Sequence, residues 1–259
     1  MIDAAQIAAD LATAERERKQ LAPFTDTYPD LDLDRAYDAQ WAGVRARLDA
    51  GERLVGAKLG LTSKAKQRVM NVDDPLYGWV TSSMLGSYNE PLDLARFIHP
   101  RVEPEIAFLI GREIPAPATV TSVLAATEAL FAAIDVLDSR YADFRFKLPD
   151  VVADNASAAL LLIGPQAVRP SDIDDVKLIG CVLRVGGDVV ATAAGAASMG
   201  HPAAAVAWLV NQLAKRDQKL EPGMLVFSGG LTEPVPMKPG VSVTAEFDAL
   251  GAVEVYTGR

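Results

Sequence analysis

Hydrophobic positions in the first fifty residues recur at helical spacing. Ile2, Ile7, Leu11 and Ala14 fall on one side of a helix predicted over 2–21, which ends near Pro23. The run Glu15-Arg16-Glu17-Arg18 reads as its solvated face. A second helix is predicted over 34–50: Asp32 or Asp34 caps it, Tyr37, Trp41, Val44 and Leu48 form its apolar stripe, and Gly51 closes it.

From residue 53 onward the period shortens. Arg53 to Leu61 reads as a strand, Ser63 caps a short helix through Met70, and Asp73-Asp74-Pro75 with Gly78 turns the chain into an element ending near Met84. A strand follows at 102–110. Thr121 is then expected to cap a helix over 123–130, with a strand at 132–137 leaving it. Residues 141–154 are polar and aromatic without a clean period and read as a long functional loop, before a strand at 158–163. A hairpin joins 177–185 to 189–192 across Gly186-Gly187-Asp188. Pro202 opens a helix to Lys215, and strands at 224–227, 241–247 and 253–256 complete the chain. Helices before residue 52 and mostly strands after it predict an α+β protein: a helical segment over 1–52 and a curved mixed sheet over 53–259.

Composition narrows the function. At 259 residues and half hydrophobic, the chain can bury a large core. Its net charge of −9 argues against a nucleic-acid partner. No apolar run approaches the length of a membrane span, and Asp3, Asp10 and Glu15 interrupt the N-terminal stretch that a signal peptide would need, so a cytoplasmic location is expected. One cysteine, Cys181, excludes an internal disulfide framework.

Candidate chemistry centres on Val102-Glu103-Pro104-Glu105-Ile106. In a strand Glu103 and Glu105 project to one face, and if buried together they ask for a cation or a proton. On a solvent-facing strand they need no explanation. Pro104 lacks an N–H, so the strand must be an edge or irregular there. Lys58, in Gly56-Ala57-Lys58-Leu59-Gly60, is either on a wet strand face or at a site of close approach marked by the glycines. Competing chemistries are poorly served. The two histidines, His99 and His201, each precede a proline where a turn or cap is expected, and Cys181 lies in an apolar strand. Zinc lacks ligands, no Gly-x-Ser-x-Gly elbow occurs, and the Ser228–Thr232 glycine loop lacks the lysine of a phosphate-binding loop. Carboxylates, lysines, arginines and hydroxyls remain, a set that suits a hard cation.

Four segments in order resemble the hydratase/decarboxylase group of the fumarylacetoacetate hydrolase superfamily: Gly56-Ala57-Lys58-Leu59-Gly60-Leu61-Thr62-Ser63, Arg101 to Phe108, Ile134-Asp135-Val136-Leu137-Asp138-Ser139-Arg140, and Asp150 to Ser157. Tyr141, Phe144-Arg145-Phe146 and Pro104 look most like its 4-oxalocrotonate decarboxylase branch. The resemblance implies a fumarylacetoacetate hydrolase C-terminal-domain-like sheet, with Glu103, Glu105 and Asp135 holding Mg²⁺ or Mn²⁺. It implies Lys58 as the catalytic group, with Ser157, Thr232 and Arg145 contacting a 2-oxo dicarboxylic acid. The implied reaction is loss of CO₂ from 2-oxohex-3-enedioate to give 2-hydroxypenta-2,4-dienoate, within meta-cleavage degradation of aromatic compounds. The alternatives are hydration of that dienoate and a non-catalytic partner subunit. Homo-oligomers and a complex with the hydratase of the next step are implied as well.

Overall fold

The computed structural model describes residues 2–70, 72, 74–87 and 90–258. Three helices come first: α1 (Ala4–Glu17), α2 (Phe24–Thr27) and α3 (Leu33–Asp49). They are followed by β1 (Leu54–Gly60), α4 (Lys64–Met70), β2 (Leu76–Thr81), β3 (Arg101–Ile110), α5 (Val120–Ala126), β4 (Thr127–Leu137), α6 (Leu148–Ala153) and β5 (Ala158–Ile163). The chain ends with β6 (Gly180–Val185), β7 (Asp188–Ala194), α7 (Pro202–Ala214), β8 (Leu225–Phe227), β9 (Val235–Pro236), β10 (Ser242–Phe247) and β11 (Gly251–Tyr256). Of the turn predicted at 73–75, Asp73 lies outside the described residues. No helix among the described residues is long and apolar enough to cross a membrane.

The larger sheet runs β2-β1-β8-β3-β4-β5, with β9 on the free part of β3; only β1 and β8 are parallel. A second, antiparallel sheet runs β11-β10-β6-β7 and packs against β4. The main core joins both sheets to α7 through buried residues such as Phe108, Leu130, Val206, Leu209 and Ala245. A smaller core holds α1 and α3 against β2 and α6, through Ile7, Leu11, Leu76 and Val152. These features make the predicted α+β class concrete as a curved mixed sheet with an N-terminal helical segment.

Two sequence expectations need correction. The helix expected over 123–130 is shorter and earlier: Thr119 and Ser122 form a reciprocal capping box, and the helix stops at Ala126. Residues 127–130 belong to β4 instead, because they pair with Leu109, Phe108 and their neighbours along β3. Cross-strand pairing there overrides local helix preference. The stretch 141–154 is not a long loop throughout. It contains α6, whose start is fixed by Asp150 accepting from Lys147 N at 2.9 Å and from Thr25 N and Oγ1 at 2.9 and 2.6 Å. A six-residue helix held by a partner 125 positions away leaves no readable period.

Candidate metal centre and active site

Strand β3 lies inside the sheet, yet Pro104 interrupts no ladder. β8 pairs with residues 107–109 and β9 with 101–102, so 103–106 face a gap filled by the loop after β8. Leu231 N donates to Pro104 O at 2.9 Å, and Ser228 N donates to Ile106 O at 3.1 Å. The predicted irregularity is therefore this opening in the sheet, where strand pairing gives way to side-chain chemistry.

Alternation in β3 puts Glu103 and Glu105 on one face, and the register with β4 sets Glu103 opposite Asp135. Oxygen atoms of Glu103, Glu105 and Asp135 all lie within 4.8 Å of one another. Glu105 and Asp135 are buried, and Glu103 is nearly so. Lys58, on β1, closes the cluster: its Nζ stands 2.5 Å from Asp135 Oδ2 and donates to Ala156 O at 2.9 Å. The wet-face reading of Lys58 is thereby excluded, since the residue is 3% exposed.

The glycines flanking Lys58 mark close approach, as their pattern predicted. A Cβ on Gly56 would stand 1.9 Å from Leu225 O, so only glycine lets β8 pair there. Across the ladder, Lys58 faces Gly78, whose own Cβ would meet Asn155 O at 2.4 Å. Asn155, Ala156 and Ser157 are three consecutive left-handed residues, with φ of 51°, 56° and 53°. Each costs about 1–2 kcal/mol in a non-glycine residue. The strain is held by the Asn155 side chain, which accepts from Trp79 N and donates to Trp79 O, both at 2.8 Å. Its effect is to aim Ala156 O at the Lys58 ammonium.

Electrostatics follow from burial. Desolvation alone would neutralise Lys58, but Asp135, Glu105 and Glu103 outweigh it and hold its pKa above that of an ordinary lysine. Burial, reinforced by the charge on Asp135, pushes the Glu105 carboxyl well above the usual carboxylate range. Glu105 Oε2 accepts from Gly229 N at 2.8 Å, whereas Glu105 Oε1 and Asp135 Oδ1 have no hydrogen-bond partner among the described residues. A buried carboxylate oxygen left bare is costly. Two such atoms converging within a three-carboxylate cluster fit a hard divalent cation with oxygen ligands.

Sequence reasoning missed two parts of this site. Lys66, on α4, is buried, stands 2.6 Å from Glu103 Oε1 and donates to Gly230 O at 3.1 Å. The Ser228–Thr232 loop, from which sequence reasoning drew Thr232 alone, is the cradle of the glutamates. A Cβ on Gly230 would stand 1.9 Å from Glu103 Oε2. The signal for Lys66 was local. Ser63 caps α4 by accepting from Lys66 N at 3.1 Å, which places Lys64 and Lys66 in a first turn without any acidic residue. Cations at the positive end of a helix dipole are unfavourable and call for another reason.

The remaining predicted residues divide. Ser157 follows Ala156 in the left-handed turn, and its hydroxyl is engaged with Asp154, donating to Oδ2 at 3.1 Å. Thr232 is buried in the cradle loop and donates to Glu233 O at 3.1 Å. Arg145 is not brought to the cluster: its side chain is 65% exposed and pairs with Asp26 at 2.9 Å. Both histidines have the structural roles expected of them. His99 is held between Gln20 and Ser139 O, and His201 caps α7.

Residues 53–256 match the family described as fumarylacetoacetate (FAA) hydrolase C-terminal. The chain is 37% identical over 248 residues to a 4-oxalocrotonate decarboxylase of Pseudomonas sp. (strain CF600), covering 95% of this chain and 94% of that protein. It is 35% identical over 249 residues to a 2-keto-4-pentenoate hydratase of Paraburkholderia xenovorans (strain LB400), covering 96% and 92%. Among solved structures it superposes on the 4-oxalocrotonate decarboxylase from Pseudomonas putida G7, complexed with magnesium and adipate, with a TM-score of 0.92. That pair shares 33% identity, with 98% of this chain and 97% of that chain covered. Family match, relatives at this identity over nearly the whole length and a shared fold agree: the chain belongs to the fumarylacetoacetate hydrolase family.

Proposed function

We propose that this protein decarboxylates 2-oxohex-3-enedioate (4-oxalocrotonate) to 2-hydroxypenta-2,4-dienoate and CO₂, a carbon–carbon lyase reaction using Mg²⁺ or Mn²⁺. The observation that carries this reading is the buried set Glu103, Glu105, Asp135 and Lys58, in a chain 37% identical to a decarboxylase across almost its entire length.

Glu103, Glu105 and Asp135 would hold the cation through the oxygens that converge between β3 and β4. When bound, a divalent ion there supplies Lewis-acid stabilisation for negative charge developing on a substrate oxygen. The chain's own groups supply the rest. As the bond to the distal carboxylate breaks, its electron pair moves through the conjugated system to the C2 oxygen, and one proton is then needed to form the enol. Lys58 is fixed by Asp135 and Ala156 O and stays charged despite burial, so it can stabilise that oxygen and give it the proton. Ser157, next to the Lys58 partner Ala156, and Thr232, in the cradle loop, would supply hydrogen bonds to the substrate. Burial of Glu105, Asp135 and Lys58 keeps bulk water from the reacting end.

The reading extends to a role in meta-cleavage degradation of aromatic compounds, a cytoplasmic location, homo-oligomers and association with the hydratase of the following step. It divides the chain into a helical segment over 1–52 and a catalytic unit over 53–259, in line with a family match that begins at residue 53.

A second reading is hydration of 2-hydroxypenta-2,4-dienoate at the same cluster, favoured by relatives such as the hydratase from Paraburkholderia xenovorans. A spectrophotometric assay of both compounds with Mg²⁺ and product identification separates them. CO₂ release from 2-oxohex-3-enedioate is expected, and water addition without CO₂ release would establish the second reading instead.

A further inference from the structure

Among the described residues the buried cations are Lys58, Lys66 and Arg140. Arg140 is committed to Asp154, Asp138 O and Ala158 O, and Lys58 to Asp135 and Ala156 O. Lys66 differs from both. An ammonium carries three N–H groups; Lys66 uses one on Glu103 Oε1 and one on Gly230 O and, like Lys58, keeps a third, so the difference lies in position. Its side chain is 10% exposed where that of Lys58 is 4%, which puts Lys66 on the outer side of the carboxylate cluster. It also occupies the first turn of α4, where a cation works against the helix dipole and no acidic residue of that turn compensates. A local preference broken in this way is expected where function demands the charge.

We propose that Lys66 recognises the second carboxylate of the substrate and makes the site selective for 2-oxo dicarboxylic over 2-oxo monocarboxylic acids. The inference rests on the decarboxylase reading and deepens it. With all five groups ionised, Glu103, Glu105 and Asp135 against Lys58 and Lys66 leave one negative charge. A bound divalent cation reverses that to one positive charge, a total that includes Lys66; without Lys66 the cluster and its cation would be neutral. With Lys58 and the cation at the inner, 2-oxo acid end, Lys66 is the positive charge left for the distal carboxylate. Lys66 has a spare donor, the outer position and a flexible four-carbon stem to meet it. Arg145, the cation expected from sequence, is engaged with Asp26 at the surface.

The test compares two ligands that differ only in the distal group, 2-oxoadipate and 2-oxohexanoate, titrated calorimetrically into the Mg²⁺-loaded protein. Wild type should prefer the diacid. Lys66→Met should weaken 2-oxoadipate by about tenfold or more while leaving 2-oxohexanoate unchanged, as expected for loss of one charge-assisted contact. Lys66→Arg should keep the preference. Equal weakening of both ligands, or no change in either, overturns the proposal. Mn²⁺ titration without substrate gives an independent arm. Removing a positive neighbour of Glu103 should leave Mn²⁺ affinity equal or higher, whereas its loss in both variants would show that Lys66 only orients Glu103 and would overturn the proposal. A wild type that selects the diacid through Lys66 but releases no CO₂ from 2-oxohex-3-enedioate defeats the decarboxylase reading alone.

Discussion

Lys58 Nζ and Asp135 Oδ2 lie 2.5 Å apart, although β1 and β4 are separated in the sheet by β8 and β3. Three strand spacings in a flat sheet are roughly 14 Å, well beyond the reach of a lysine. The contact exists because the sheet curls and because β8 is only three residues long, ending at Phe227 beside Lys58. The pair is therefore a product of curvature, and it brings Lys58 to the carboxylates.

Removing that pair should be felt twice. Lys58→Met keeps much of the side-chain volume but leaves Asp135 and Glu105 without their buried cation, at a cost of about 3–5 kcal/mol to the metal-free fold. Mg²⁺ should recover much of this in a urea melt, because it replaces the missing positive charge. Turnover should fall far more than Mg²⁺ affinity, and an equal loss in both would make Lys58 a structural residue.

Glu105 links stability and metal binding to pH with opposite signs. In the folded, metal-free chain its carboxyl keeps a proton to higher pH than in the unfolded chain, because burial and the Asp135 charge raise its pKa. The folded state then binds more protons over that window, so metal-free stability should fall as pH rises through it. A cation needs the deprotonated form, so Mn²⁺ affinity should rise over the same window. Glu105→Gln should flatten the first dependence, abolish activity and leave the circular dichroism spectrum intact. Retained activity with full metal affinity would remove Glu105 from the site.

Gly230→Ala tests the cradle. The added methyl would sit on Glu103 Oε2 and 2.8 Å from Lys66 Nζ, so Glu103 must swing away. Mn²⁺ affinity should drop by about tenfold or more, as for a lost supporting interaction in a metal site. The melting temperature should change little, since Gly230 is not in the left-handed region and the atoms in the way are side-chain ends. Unchanged affinity would place the metal away from Glu103.

Arg145→Ala should be nearly silent. The guanidinium is exposed and its pair with Asp26 is a surface contact. Steady-state kcat/KM for 2-oxohex-3-enedioate is expected to stay within about twofold, in keeping with the small worth of surface ion pairs. A large rise in KM would restore Arg145 as a substrate contact.

What could be read without coordinates was what repeats or alternates. Helical spacing gave the first and third helices to within a few residues at their ends, and strand alternation put Glu103 and Glu105 on a single face. The glycines around Lys58 marked a close approach, which Gly56 makes to Leu225 O. The absence of a phosphate-loop lysine and the setting of both histidines removed rival chemistries, and four motifs in order pointed to the family.

Contacts between segments far apart in the chain were decided only by the tertiary structure. Local pattern can say that a residue is charged and on a given face, but not which distant charge it will meet. Lys66 carries no pattern of its own in the sequence, and only the fold sets it 2.6 Å from Glu103. Arg145 looked like a substrate contact until its loop turned it to Asp26. The helix expected over 123–130 lost its last residues to pairing with β3, and α6 formed where Thr25 and Asp150 met across 125 positions. Periodicity reports only on burial along a segment. Sheet curvature, loop direction and ion pairing depend on where the other segments lie, and that arrangement selected Asp135, Lys58 and Lys66 as one site.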